Sequence, residues 1–473
     1  MKVLLTGSTG YIGRRLKQKL IQNSDIQLRL FVRNKKSISI KIPKEIEVVE
    51  GNTFDKDSLK KALKDVDVAY YLIHSLNSDD YKNLDKISAE NFIEIAKECK
   101  VKKVIYLGGL GVKNEHTSKH LLSRLETGEI LSSCKEVQTI WIRAGVIIGS
   151  GSTSFEIIRN LTEKLPIMTT PKWVLTKAQP IAVEDVLKYL EQSLYLEEKE
   201  NLIVDIGAEQ LQYKDMMLQT AKALGLKRIL IPLPFLSITL SSYWLNLFTP
   251  VPFKVAKELI EGLRSEVIIQ NNNAEKYFPN IKPLSFIDSV KKAVDEIEKH
   301  QVISRWSDHA GTIWDKDHIK EIADAIFIDR KEVDITNIPK ENIYKSFMSI
   351  GGEQGWFDYD FLWELRGIID KIIGGVGLKR GRRSQDELRI GESLDFWKVV
   401  DIKENERLLL FAQMKLPGSA WLEFKIEDNK FIQSAYFYPR GVLGRAYWYI
   451  LVPLHYFVFN NMVSSIVKRA KQM

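Results

Sequence analysis

The chain has little cysteine: Cys99 and Cys134 are the only two in 473 residues. That excludes the disulfide framework that holds small secreted domains together. No arginine- and serine-rich leader or signal-peptide pattern stands ahead of the apolar run Val3 to Leu5, so the cytoplasm is the expected compartment, with membrane association treated below. Strong charge bias is missing as well. The 69 basic and 61 acidic residues leave a net charge of +8, which is mostly a mixed solvated surface. This leans toward phosphates or anionic lipid, and nucleic acid is not an expected partner. A metal set is lacking too: His116 and His120 stand four apart, but no third ligand accompanies them at a diagnostic spacing. What remains is ordinary globular composition, 45% hydrophobic and 27% charged, long enough for two or three domains.

The first thirteen residues, MKVLLTGSTGYIG, organise the rest. Val3, Leu4 and Leu5 read as a buried parallel strand, and Gly7, Gly10 and Gly13 each remove a Cβ. The first makes the turn, the second lets backbone approach a pyrophosphate, and the third lets the following helix pack on the strand. Ile12, Leu16 and Leu20 recur every four residues, giving that helix one apolar face and aiming its first amides at the phosphates. The candidate phosphate loop is therefore Thr6, Gly7, Ser8, Thr9, Gly10, Tyr11, Ile12 and Gly13.

The end of the second strand, Ile26 to Val32, selects the cofactor. Arg33 and Asn34 stand there, followed by Lys35 and Lys36, where an acid about 20 residues beyond the glycines would take the ribose hydroxyls of NAD. Basic groups suit an extra phosphate, so NADP(H) is expected over NAD(H). Further strands follow over Glu47 to Glu50, Val66 to Ile73, Lys103 to Leu107 and Thr139 to Ile148. The fourth delivers Leu72, Ile73 and His74 to the crevice, and the fifth delivers Gly108. Apolar strands alternating with helices at this spacing predict an α/β fold of Rossmann type, a doubly wound parallel sheet.

The spacing TGxxGxxG over Thr6 to Gly13 resembles that of the extended and atypical short-chain dehydrogenase/reductases, and the resemblance carries the fold to about residue 300. It implies that Asp55, in Gly51 to Asp55, lies beside the adenine, and that Gln179 to Val186 returns the chain to the main sheet. Ordinary members of that family use a Tyr-x-x-x-Lys pair on the helix after the fifth strand. This chain lacks it there, because residues 112–133 contain no tyrosine, and the aligned positions are His120 and Arg124. His120 is the expected proton donor and Arg124 the expected holder of ribose or phosphate, with a surface histidine as the alternative. The partner hydroxyl is replaced by Gly108 and Gly109. Tyr195 and Lys199 have the pair's spacing but lie too late in the chain, in a charged connector.

Residues 229–253 carry no charge and four prolines, which reads as a buried or partner-covered segment, with peripheral membrane contact as the alternative. The domain plan is 1–300 for the nucleotide-binding domain, 301–330 for a helical connector holding Trp306 and Trp314, and 331–473 for a second domain. In the latter, a strand over Glu332 to Gly351 and two helices over Asp358 to Gly374 precede four strands, Leu394 to Ile402, Arg407 to Met414, Trp421 to Ile426 and Phe431 to Tyr438. A last helix from about Arg445 carries Trp448, Leu451, His455, Val458, Met462 and Ile466 on one face. This α+β arrangement resembles the START-like helix-grip fold, which implies a hydrophobic small-molecule ligand. The basic run Gly377 to Arg383 reads as either a phosphate grip or a solvated loop.

Five stretches, Tyr70 to Ser75, Tyr106 to Gly111, Ser123 to Gly128, Arg380 to Arg383 and Leu416 to Trp421, together make the chain resemble an atypical short-chain dehydrogenase/reductase fused to a C-terminal domain of unknown function. The N-terminal part is also similar to the nucleotide-binding accessory subunit of respiratory complex I. Two functions are expected on these grounds: an NADP-dependent oxidoreductase acting on a hydrophobic small molecule, or a non-catalytic NADPH-binding scaffold or sensor on a membrane or complex.

Overall fold

In the computed structural model the chain divides into two units, Met1–Trp306 and Ser307–Met473. The structure describes every residue except 36–37, 39–42, 44, 75–80, 114–116, 233–260, 263–264, 300–301, 305–326, 357–359, 373–380, 385–386 and 440. His116, Trp306, Trp314 and most of the apolar segment 229–253 therefore lie outside the described residues, as do Lys36, Ser75 and 377–380 of the basic run.

The first unit is built on a seven-stranded, wholly parallel sheet. Its strands are β1 (Lys2–Thr6), β2 (Gln27–Val32), β3 (Glu47–Glu50), β4 (Val68–Tyr71), β5 (Lys103–Gly109), β6 (Gln138–Ala144) and β7 (Leu202–Ile206). They run in the order β7-β6-β5-β4-β1-β2-β3, so the chain reverses direction across the sheet between β1 and β4. That is the switch point where a crevice opens beyond the carboxyl ends of the strands. Val3, Leu4 and Leu5 are fully buried because helices cover both faces, which is why the strand is a continuous apolar run rather than an alternating one.

Four helices position the crevice: α1 (Tyr11–Ile21), α2 (Lys56–Leu63), α3 (Tyr81–Glu98) and α4 (Lys119–Ser132). The expected sixth strand to Ile148 is broken, since β6 ends at Ala144 and Ile147–Ile148 pairs instead with Ile181–Ala182. Gly145 turns the chain here, where a Cβ would lie 2.7 Å from Val267 Cγ1. Of the apolar segment, Ile229–Pro232 is a strand paired with Ile167–Thr170.

The second unit is a six-stranded antiparallel sheet with helices α5 (Lys340–Met348), α6 (Asp360–Ile372) and α7 (Gly441–Ala470). Its strands are β8 (Phe327–Asp334), β9 (Ser393–Leu394), β10 (Trp397–Lys403), β11 (Arg407–Ala412), β12 (Gly418–Glu427) and β13 (Lys430–Pro439), in the order β8-β13-β12-β11-β10-β9. Four expectations are corrected. Residues 327–330 are strand, not helical connector. The strand expected to Gly351 stops at Asp334, and α5 follows because Ile343 and Phe347, four apart, both reach the core. The residues described within Asp358 to Gly374 form one helix, and the strand expected over Leu394 to Ile402 is two, divided at Asp395, whose φ is +54°.

Trp448, Val458, Met462 and Ile466 of α7 are buried in this core, as their spacing requires. Arg382 and Arg383 are each 7% exposed and spend their donors inside the unit, Arg382 Nη1 on Ile350 O (2.8 Å) and Arg383 Nε on Glu392 Oε1 (2.5 Å). These two are thus neither a solvated loop nor a phosphate grip.

Candidate active site

The glycine loop has the geometry a pyrophosphate needs. Gly7 adopts φ +66°, and a Cβ on it would meet Leu72 O at 2.4 Å; one on Gly13 would meet Gly7 O at 2.1 Å. Strand, turn and helix touch at backbone distance, so neither position tolerates a side chain. The first turn of α1 holds no acidic residue, and its N-cap Gly10 supplies no side-chain acceptor. Its amides are left for an anion. Ser8 Oγ and Tyr11 Oη are buried with no hydrogen-bond partner. An unpaired hydroxyl in such a cradle fits a phosphate oxygen.

The neighbouring residues divide between binding and support. Thr6 Oγ1 donates to Tyr70 O (2.8 Å) and accepts from Leu72 N (3.2 Å), so it laces β1 to β4. Arg14 Nε donates to Thr9 O at 2.8 Å, and Ile12 packs against the apolar core. Arg33 is exposed at the end of β2, with no ion pair among the described residues. Glu50, opposite Val32 on β3, accepts the Lys35 N–H (2.9 Å) and closes the loop that contains Asn34. Asp55 is the N-cap of α2 and accepts from Asp57 N at 3.0 Å. Gly108 packs where a Cβ would lie 2.2 Å from Trp141 Nε1, which explains why no hydroxyl stands there.

Beyond the ends of β4 and β5 the structure joins His74 and His120 into a chain. Asp85 Oδ2 lies 2.9 Å from His74 Nδ1, and His74 Nε2 lies 3.1 Å from His120 Nδ1. Ser123 Oγ also donates to Asp85 Oδ2 (3.3 Å). Burial pushes both histidines below the ordinary imidazole range, His120 well below, and for His74 it outweighs the opposing pull of Asp85. Neutral rings fix the tautomers by elimination. A carboxylate only accepts, so His74 carries its proton on Nδ1; its bare Nε2 then accepts the His120 Nδ1–H, and His120 Nε2 is left with a lone pair.

Arg124 stands one turn along α4 from His120. Its Nη2 donates to Leu107 O (2.7 Å), and its buried Nε has no partner. With no carboxylate paired to it among the described residues, it is a fixed cation beside the relay. Gly128 lets α4 approach the sheet, since a Cβ there would lie 2.3 Å from the Trp141 ring. Asp85 was not legible in the sequence, since it sits in no motif, and Ser123 opens the Ser123 to Gly128 stretch without a role of its own being read there; only the packing of α3 against α4 brings the two together. Tyr195 is half exposed, and its hydroxyl accepts from Asn23 Nδ2 (2.7 Å), well removed from any paired lysine role.

A switch-point crevice with this loop defines a nucleotide-binding unit, and the comparisons agree. Residues 7–144 match a family described as NAD(P)H-binding, and residues 322–462 match a family described as a protein of unknown function, DUF2867. The NAD(P)H-binding match thus runs from the glycine loop through β6, and the first unit has a Rossmann-type α/β fold. Among solved structures, a triphenylmethane reductase of Citrobacter sp. has TM-score 0.52 at 18% identity, over 62% of this chain and 100% of that one. A nucleoside-diphosphate-sugar epimerase of Staphylococcus aureus has TM-score 0.50 at 14% identity, with the same coverage. The auxiliary protein GraX of Staphylococcus aureus is 29% identical over 121 residues, which span 24% of this chain and 38% of that protein.

Proposed function

We propose that the protein is an NADP(H)-preferring oxidoreductase of a hydrophobic small molecule, with His120 moving the proton. The observation that carries this reading is the Asp85–His74–His120 chain beside the glycine-loop crevice. The amides of α1, Ser8 and the cradle of Gly7, Gly10 and Gly13 would hold the pyrophosphate, Arg33 the ribose phosphate, and Arg124 a further anionic or ribose group. The bound cofactor supplies or takes up hydride.

His120 works at Nε2. In the oxidising direction its bare lone pair takes a proton from a substrate hydroxyl, and the charge that forms is stabilised through His74 toward Asp85. In the reducing direction the imidazolium gives that proton back. His74 and Asp85 orient the ring and are positioning residues. A hydrophobic substrate is supported by the apolar cavity of the second unit, whose lining includes Leu451, Val458 and Phe459.

The non-catalytic alternative is favoured by one feature. Residues Leu443–Ala470 form a helix long and apolar enough, by length and composition, to cross a membrane, and Leu443, Ile450 and Phe457 on it are exposed. Turnover separates the readings. NADPH consumption with hydrophobic ketones, aldehydes and quinones, lowered about 10²-fold by His120→Ala at unchanged cofactor affinity, supports catalysis. NADPH that binds but is never consumed supports the scaffold.

A further inference from the structure

The second unit has a half-open cavity of about 120 Å³ whose walls come from α6, strands β10 to β13 and α7. An apolar cavity of that order takes a body about the size of one aromatic ring. Its lining is hydrophobic except at a few atoms, and those atoms share one character. Trp363 Nε1, Trp397 Nε1, Arg366 Nη1 and His455 Nδ1 are buried without a hydrogen-bond partner. Three are obligate donors, and His455 Nδ1 donates in one of its two tautomers. Trp363 and Trp397 both pack on Phe396, with ring centroids 5.6 Å away in each case, and Arg366 is one turn from Trp363 on α6. Trp363, Trp397 and Arg366 are therefore gathered where α6 meets β10, while His455 stands on α7.

Buried donors without acceptors are costly unless a ligand supplies the acceptor. The charge balance narrows its chemistry further. Asp370 Oδ1 lies 3.9 Å from Arg366 Nη1 and also accepts the Lys415 N–H at 2.7 Å. The guanidinium is thus already compensated, and a ligand carboxylate would be a second negative charge with no cation of its own in an apolar site. An uncharged oxygen acceptor meets both conditions.

We propose that this cavity binds an apolar carbonyl compound, a ring-sized ketone, aldehyde or quinone, with its oxygen on the N–H groups of Trp363, Trp397 and Arg366. The inference rests on the hydrophobic-ligand reading above and adds the polar group that the ligand carries.

Ligand-observed NMR titrations of the full chain with acetophenone, its near-isostere ethylbenzene, and benzoate test it. Acetophenone and ethylbenzene bind the parent, and benzoate binds more weakly than acetophenone. Trp397→Phe keeps an apolar ring and removes one donor, so acetophenone weakens about 3- to 10-fold while ethylbenzene is unaffected. Trp363→Phe gives the same pattern and serves if the first variant does not fold. Equal effects on ketone and hydrocarbon, or tighter binding of benzoate, overturn the carbonyl assignment and leave a hydrophobic ligand site standing. No binding of either neutral probe to the parent overturns both.

Discussion

Asp85→Asn is the perturbation that most specifically probes the relay. Asp85 is 4% exposed, and its Oδ2 accepts from His74 Nδ1 at 2.9 Å and Ser123 Oγ at 3.3 Å. Asparagine keeps the shape but replaces an acceptor-only group by one that offers either a donor or an acceptor, so the tautomer of His74 is no longer imposed. A buried hydrogen bond to a charged group contributes about 1.5–3 kcal/mol, and that is the expected loss of stability. The chemical effect is separate. When His74 carries its proton on Nε2, His120 must accept at Nδ1 and hold its own proton on Nε2, which removes the base. Turnover should fall about 10²- to 10⁴-fold, as it does when a buried carboxylate no longer orients an imidazole. Long-range proton–nitrogen spectra of the imidazoles read the tautomers without any substrate. In the parent, His74 is protonated at Nδ1 and His120 has a bare Nε2; in the variant both rings sample the opposite form. Identical imidazole spectra in parent and variant, with turnover preserved, would refute the reasoning.

Two consequences for pH follow from the same rings. Both have folded-state pKa values below the unfolded value of about 6.5, so the native state binds fewer protons than the unfolded chain just below that pH. Their contribution to stability is fully present above about pH 6.5 and is lost as pH falls toward their folded values, by up to about 1.4 kcal/mol per pH unit for each ring. Denaturant unfolding at about pH 7.5 and about pH 5.5 should show a drop that His120→Gln reduces, and equal drops in the two proteins would remove His120 as its source. In kinetics, turnover in the reducing direction should decline as pH rises through neutrality, because the imidazolium becomes scarce. The oxidising direction should be flat there, and the opposite pair of profiles would assign the proton to another group.

The glycine loop was legible because backbone contact admits no other residue: a Cβ at Gly7 or Gly13 collides with backbone, and no side-chain substitution can imitate that. The strands β10 to β13 were legible for a different reason, since apolar runs separated by short hairpin turns write themselves into the sequence. Helix α5 was not, because Ile343 and Phe347 are a sparse signal beside a preceding strand, and Pro339 at its N-cap marks its start more clearly than its periodicity does. Within the site, His120 and Arg124 were found by alignment to an absent tyrosine and lysine. Their partners were hidden because Asp85 lies 35 positions before His120, and a contact across two helices leaves no local pattern. The donor-lined cavity was equally invisible, being a property of atoms left unpaired rather than of residue types.

The central claim, a nucleotide site that selects the 2′-phosphate, is tested most directly by calorimetric titration of NADPH and NADH into the parent and Arg33→Ala. A charge-assisted contact from an exposed guanidinium to phosphate corresponds to about 1.5–3 kcal/mol, or roughly a 10- to 150-fold preference for NADPH. The parent should show that preference and the variant should lose it, with NADH affinity unchanged. Equal affinities in the parent, or a preference that survives Arg33→Ala, would contradict it.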